Sequence, residues 1–340
     1  MTSGPANSMT AGSIPADSEP AVSGRAVSGR AAATRAEYCV VACAEAWRGA
    51  GEILASPMGT VPTIAARLAR LTFAPDLLLT DGEALLIGDV PELGGTARVV
   101  EGWLPFHRHL AMAAGGRRHV MMGASQLDRH GNQNIACIGD WERPDRQLLG
   151  VRGAPVNTLN HATSYWVPRH SRRVFVERVD MVCGVGYDRA AAAGPSATRF
   201  HRLPRVVSDL GVFDFETPDR SMRLVSVHPG VTVDDVVAAT GFPLAVASGA
   251  ADPSRAENSS GAAHSSEAAD PSGQGDPAEP GAPSGQADVQ ESASVQESAA
   301  AQGSTAPTGV PFTREPTAEE LRLIREVLDP RGLRDREVRS

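Results

Sequence analysis

Three short segments carry residue types that could act on a carbonyl compound. In LLLTDGEALLIGD, residues 77–89, an apolar run stops and the chain turns through Thr80, Asp81, Gly82 and Glu83. Carboxylates at the C-terminal end of a parallel strand stand where open α/β sheets hold their ligands, although Asp-Gly is also an ordinary turn pair. In GASQLDRHGNQNIACIGD, residues 123–140, a turn of Asp128, Arg129, His130, Gly131 and Asn132 lies between two apolar runs and is followed by Asn134. His130 could serve as a general base, while a His-Gly-Asn turn is equally common hairpin chemistry. The third segment, LLGVRGAPVNTLNHATSYW, spans 148–166 and places Gly150, Arg152, Gly153, Asn157, Asn160 and His161 within twelve residues. Glycines let a backbone approach a ligand, exposed N–H groups can hold a carbonyl oxygen as it turns negative, and a fixed guanidinium can clamp a carboxylate. This is the densest cluster of glycine and polar residues in the chain.

Other chemistries are excluded by what is missing. All 32 basic residues are arginine, so a Walker-A loop, a Schiff-base lysine and pyridoxal attachment are ruled out together. No HExxH, GxGxxG or GxSxG occurs. Cys39, Cys43, Cys137 and Cys183 form no CxxC pair, and Cys39 and Cys43 sit in an apolar helical run as small hydrophobes. A reduced, cytoplasmic protein without a metal site is expected. No run of 18 apolar residues occurs, and the N-terminus lacks an apolar core of signal-peptide type, so neither membrane insertion nor secretion is expected. Residues 248–309 hold nine acids against Arg255 and carry the whole net charge of −8. The rest of the chain is neutral with no basic stripe, which disfavours nucleic acid and anionic membranes as partners.

The elements that must position these segments alternate between helix and strand. Residues 1–33 are rich in Ala, Ser, Gly and Pro and read as a disordered extension; 248–309 reads as an acidic, disordered low-complexity insert. Between them, 34–247 forms one α/β domain in this reading. Thr34 caps a helix through Arg48, Glu52–Ser56 makes a buried strand, a helix covers Val61–Leu71, and Leu77–Thr80 makes the next strand. Strand, helix and strand within about thirty residues is a βαβ unit, so the expected architecture is an open, mainly parallel sheet flanked by helices. Further strands are predicted at His119–Met122, Asn134–Ile138 and Arg173–Val176. Thr232 with Asp235 opens a helix that Gly241 stops, and Thr317 with Glu320 makes a capping box for LRLIREVL. Residues 310–340 are therefore expected to dock as a helix on the α/β domain.

Taken together, the three segments resemble the β subunit of the class I CoA-transferase family, whose fold is of the NagB/RpiA-like type. DRHGNQN at 128–134 is similar to the family's DRxGNxN turn, GVRGAP at 150–155 stands where its glycine-rich oxyanion loop does, and LLLTDGEALL stands at its catalytic strand end. Within the family, RAEYCVVACAE, RLARLTFAPDLLLTDGEA, EGWLPF, NHATSYW, GVFDFETPD and LRLIREVLDPRGLRDRE resemble the branch that cleaves steroid rings. The resemblance implies a heteromer with a CoA-transferase-like α subunit, αβ and paired again as α2β2. It also implies an acyl-CoA substrate derived from cholesterol rings C and D, and hydrolytic opening of one ring. No resident cofactor is implied; coenzyme A enters as part of the substrate. Transferases of the family form a glutamyl-CoA thioester on a Glu in a Ser-Glu-Asn/Ser-Gly turn, whereas this chain has Thr80-Asp81-Gly82-Glu83. Hydrolysis needs no covalent carrier. It needs a base for water, an oxyanion site for the ring carbonyl and a cation for the substrate carboxylate. On this reading the α subunit supplies the principal carboxylate, with Asp81 and Glu83 as catalytic candidates here and Arg152 as the clamp. Gly150 and Gly153 support the oxyanion or thioester, and Thr80, Asn132, Asn134, Asn157 and His161 line the substrate and CoA pocket. Two rivals fit less well: a true CoA-transferase β subunit for a 3-oxoacid or dicarboxylate, and a non-catalytic acyl-CoA-binding or assembly subunit.

Overall fold

A threonine and a carboxylate three residues on open three of the helices. In α1 (Arg35–Ala44), Thr34 Oγ1 accepts from the Glu37 amide at 3.3 Å and Glu37 Oε2 accepts from the Thr34 amide at 2.8 Å. The same reciprocal pair, Thr232 with Asp235 and Thr317 with Glu320, starts Val233–Ala239 and Ala318–Arg322. Each pair satisfies amides that the first helical turn cannot. Helix α2 (Thr60–Thr72) starts after Gly59, whose φ of 118° favours glycine. The computed structural model describes residues 32–82, 84–105, 107–108, 117–247 and 309–338. The expected N-terminal extension (1–33), apart from its last two residues, and the acidic insert (248–309), apart from Gly309, lie outside the described residues.

The first four strands are β1 (Leu54–Pro57), β2 (Leu79–Thr80), β3 (Leu85–Ile87) and β4 (Val100–Trp103). Then come β5 (Arg118–Gly123), β6 (Gln126–Leu127), β7 (Gln133–Asn134), β8 (Cys137–Ile138) and β9 (Arg146–Gln147). The last five are β10 (Ala162–Val167), β11 (Val206–Ser208), β12 (Gly211–Asp214), β13 (Arg223–Val227) and β14 (Ala245–Val246). Seven of them make the central sheet in the order β1-β5-β10-β11-β12-β13-β14. Pairing is parallel from β1 to β11, antiparallel through β12 and β13, and parallel again at β14. The mainly parallel α/β sheet read from the sequence is the one found.

Side chains alternate across this sheet, so each face has its own core. Met121 and Trp166 pack with Val41, Leu68 and Ala69 of the α1/α2 layer, joined by Leu323, Ile324 and Leu328 of the C-terminal segment. Val120, Met122, Tyr165 and Val167 face the opposite core with Phe175, Phe213 and Phe215. The C-terminal segment is also tied by polar bonds, since Glu337 accepts from Trp166 Nε1 at 3.0 Å and from the Val61 amide at 2.8 Å. Cys39 and Cys43 are buried in the first core with free thiols.

Three local expectations are corrected. Leu77–Thr80 closes the βαβ unit only at Leu78, whose amide donates to Ile53 O and whose carbonyl accepts from the Ala55 amide, both at 3.0 Å, and Leu79–Thr80 then pairs antiparallel with β3 in a separate sheet, β2-β3-β4. Asn134–Ile138 is not one strand, because the Asn134 side chain accepts from the Ala136 amide at 2.9 Å and donates to Cys137 O at 2.6 Å, which bends the chain. Arg173–Val176 is a turn in which the amides of Val174 and Phe175 both donate to Ser171 O, leaving a single bridge at Phe175.

Candidate functional site

The second and third motif segments are zipped together by their backbones. Gly150 N donates to Ile135 O at 2.6 Å and Leu148 N to Ala136 O at 2.8 Å. A Cβ on Gly150 would lie 2.5 Å from Ile135 O and 2.6 Å from its carbonyl carbon, so only glycine permits this approach. Asn134 fixes the partner backbone through the bonds just described and through Nδ2 to Gln126 Oε1 at 2.8 Å. Asn132 Nδ2 donates to Asp128 Oδ2 and Asp188 Oδ1, both at 2.9 Å, and its Oδ1 accepts from Gly186 N at 2.7 Å. His130 belongs to the same turn, its amide donating to Asp128 Oδ1 at 3.0 Å.

The expectation that Asn132 and Asn134 line a substrate pocket is therefore corrected. Both are fully buried, and their amides are spent on holding the loop against which Gly150 is laid. Asn132→Ala is expected to destabilise the chain by about 3 kcal/mol, because the buried Asp128 carboxylate loses its side-chain donor. Burial already pushes that carboxyl up, against the opposing bonds from Asn132 and His130. Urea denaturation tests this, and a loss under about 1 kcal/mol would mean the loop finds other donors.

Beyond Gly153 the chain enters helix α3 (Ala154–Asn160), which carries the remaining polar residues of the third motif. Arg152 is exposed, with a φ of 52° and its Nε on Leu149 O at 3.3 Å. Asn157, 4 % exposed, lies against Gly153, whose added Cβ would stand 3.7 Å from Asn157 Nδ2. Asn157 Oδ1 accepts from Arg118 Nη1 at 2.9 Å, and Arg118 Nε donates to Ser56 Oγ at 2.8 Å. Burial lowers the Arg118 guanidinium to about 10. His161 follows α3 immediately, is 0 % exposed, and has no hydrogen-bond partner on either ring nitrogen among the described residues. Burial, reinforced by the charge of Arg118, lowers its imidazole to about 4, so it is neutral at pH 7.

Arg118 and Ser56 escape motif reading, since neither lies in the three segments. The one signal was the Arg117-Arg118 pair directly before an apolar strand. Strand periodicity puts Arg118 on the face of Val120 and Met122, under α3.

The first motif stands apart in secondary structure. Asp81 Oδ1 accepts from the amides of Ala84 and Leu85, both at 3.0 Å, and its own amide donates to Leu85 O at 3.0 Å. Thr80 Oγ1 accepts from Gly82 N at 3.3 Å. The placement of Asp81 at the end of a parallel strand is thus corrected: it is the Asx-type turn residue of an antiparallel hairpin. Glu83 lies outside the described residues.

Comparison with known proteins agrees with this geometry. The family described as Coenzyme A transferase matches residues 109–239, which contain the zipped loops, α3 and most of the central sheet. The Rhodococcus jostii (strain RHA1) protein named cholesterol ring-cleaving hydrolase IpdB subunit is 50% identical over 305 residues, 90% of this chain and 96% of that one. The chain belongs to the coenzyme A transferase family. Another relative in the family, the Mycobacterium tuberculosis (strain ATCC 25618 / H37Rv) protein of the same name, is 49% identical over 309 residues, 90% of this chain and 99% of that protein. The crystal structure of Rhodococcus jostii RHA1 IpdAB matches the fold with a TM-score of 0.69 at 48% identity, covering 91% of this chain and 99% of that one.

Proposed function

We propose that the chain is the β-type subunit of a heteromeric hydrolase that opens a ring of a steroid-derived, cyclic keto-acyl-CoA thioester, with a CoA-transferase-like α subunit as its partner. The observation that carries this is 50% identity along 96% of a protein named as a cholesterol ring-cleaving hydrolase subunit. The Asp81 hairpin supports it over CoA transfer. The carboxylate at that turn is an aspartate, one methylene shorter than a transferase glutamate, and its Oδ1 is committed to two backbone amides.

In this reaction a hydroxide from water adds to the ring ketone carbon while a base takes the other proton. The bond from that carbon to the carbon beside the thioester then breaks, its electrons pass into the thioester enolate, and the enolate carbon takes up a proton. The ketone carbon becomes a carboxylate and the product is heavier by one water. The principal base belongs to the α subunit in this proposal. The Gly150–Gly153 loop supports the oxygen that turns negative, Arg152, read from the sequence as the carboxylate clamp, stands at its exposed edge, and Asn157 and His161 stand behind it. Coenzyme A is part of the substrate. The four free cysteines accord with reaction in the reducing cytoplasm, and among the described residues no helix is long and apolar enough to cross a membrane.

The test is co-expression with the α subunit and incubation of the complex with a bicyclic or monocyclic steroid-derived CoA thioester, followed by mass spectrometry. A product heavier by one water, with no CoA passed to added acetate or succinate, is expected. Transfer of CoA to the added acid would replace this function with the transferase one.

A further inference from the structure

Arg118 is largely buried and has no carboxylate partner among the described residues. Buried Arg334 is compensated by Asp329 and Glu37, while buried Arg67 donates to a backbone carbonyl, Pro91 O, at 3.0 Å. Arg118 instead uses Nε on the neutral Ser56 hydroxyl and Nη1 on the neutral Asn157 carbonyl, and among the described residues its Nη2 has no bonding partner. Beside it stands His161, whose two ring nitrogens are buried and unpartnered. The parallel register fixes this neighbourhood: Ala162 is paired with His119, so the residues just before them, His161 and Arg118, enter adjacent strands side by side. Two orphaned nitrogens and an uncompensated charge in one place are costly unless something else completes them.

The chemistry of that missing group follows from the donors. The site offers one permanent positive charge, an unused guanidinium nitrogen, and a neutral imidazole with one N–H to donate. A monoanion with two oxygens neutralises it; a phosphate dianion leaves a negative charge buried. Its position relates it to the glycine loop, because Asn157, which holds Arg118, lies against Gly153.

We propose that Ser56, Arg118, Asn157 and His161 form a carboxylate-binding subsite, continuous with the Gly150–Gly153 loop, that holds a free carboxylate on the ring-derived acyl portion of the substrate. This rests on the function proposed above and adds to it the residues that select the acyl group. Ser56 and Asn157 set the plane of the guanidinium, Arg118 supplies the charge, and His161 donates to the second oxygen.

The experiment uses the assembled αβ complex and two substrates, the ring-derived thioester bearing its free carboxylate and the same thioester as a methyl ester. Arg118→Gln is expected to lower kcat/KM for the acid about a hundred-fold, mainly through KM, and to change the value for the ester by less than about threefold. Asn157→Asp keeps the side-chain shape and puts an internal carboxylate on Arg118; it is expected to give the same selective loss. It carries the test should Arg118→Gln fail to assemble. Equal losses on acid and ester in these variants would reduce the cluster to a scaffold, and an unchanged value for the acid would show that the substrate carboxylate binds elsewhere. Wild-type inactivity toward both thioesters would instead strike the proposed function. The subsite is then decided by titrating wild-type and variant complexes with acid and ester, and an acid affinity that Arg118→Gln leaves unchanged overturns it.

Discussion

Acidification from pH 7 to below about pH 5 is expected to unfold the chain. Four buried histidines are held neutral by desolvation: His119 and His170 are lowered to about 3, and His161 and His228 to about 4. Their ring partners, where they have any, are uncharged. His119 bonds Ser164 at 2.9 Å, His170 bonds Ser208 and Thr240 at 2.9 and 3.0 Å, and His228 bonds Thr313 and Ser208 O at 2.9 and 2.8 Å. The charges that act on these rings are arginines, Arg202 on His119, Arg118 on His161 and Arg35 on His228, and they oppose protonation. In the unfolded chain each imidazole titrates near 6.5, so between that value and the folded ones the unfolded state binds more protons. Their stabilising contribution is complete above about pH 6.5 and is lost as pH falls toward 4. Each group costs about 1.4 kcal/mol per pH unit, so the four together approach roughly 5 kcal/mol per unit, against a total stability of about 5–15 kcal/mol. Asp128 and Asp209, whose carboxyls burial pushes up, work in the opposite direction and soften the slope. Thermal melts at pH 7, 6 and 5 read this directly. A Tm that does not move across that range would show that the rings are solvated or paired with acids.

Glu37→Ala is expected to cost about 3–5 kcal/mol, the range for removing one partner of a buried charge cluster. Glu37 is fully buried, and its two oxygens accept from Arg325 Nε at 2.7 Å, Arg325 Nη2 at 2.8 Å, Arg334 Nη2 at 3.0 Å and the Thr34 amide at 2.8 Å. One carboxylate therefore caps α1 and binds two arginines from the C-terminal segment, nearly 300 residues away in sequence. Burial works to raise its pKa, but the bonds from Arg325 and Thr34 and the charges of Arg334 and Arg325 overcome it and hold the carboxyl below its usual range. A carboxyl lowered in this way stabilises above the ordinary carboxylate pKa and loses that contribution as pH falls through the folded value, below the histidine window. Glu37→Gln keeps the side-chain shape and is expected to lose less than the alanine variant. Denaturant unfolding separates the two, and a loss of under about 1 kcal/mol for Glu37→Ala would mean the C-terminal segment is held by its apolar contacts alone.

The capping boxes at Thr34, Thr232 and Thr317 were legible in the sequence because both partners lie within one helical turn, and so was the parallel sheet, because period and length set strand and helix locally. The zipped motif loops were legible as turns, but the work of their asparagines was not. Asn132 bonds Asp188 and Gly186 more than fifty residues on, and only the fold brings those groups to it. The Asp81 hairpin differs, since Leu79 with Ile87 and Thr80 with Leu86 are local pairs, and the expected parallel strand end is an antiparallel turn. Arg118 is the clearest case. As sequence it is one of 32 arginines before an apolar run; its meaning comes from Ser56, 62 residues before it, and from Asn157, 39 after it. Local chemistry is written in residues that are neighbours along the chain, whereas burial, which turns an ordinary arginine and histidine into an uncompensated pair, exists only once distant strands are packed side by side.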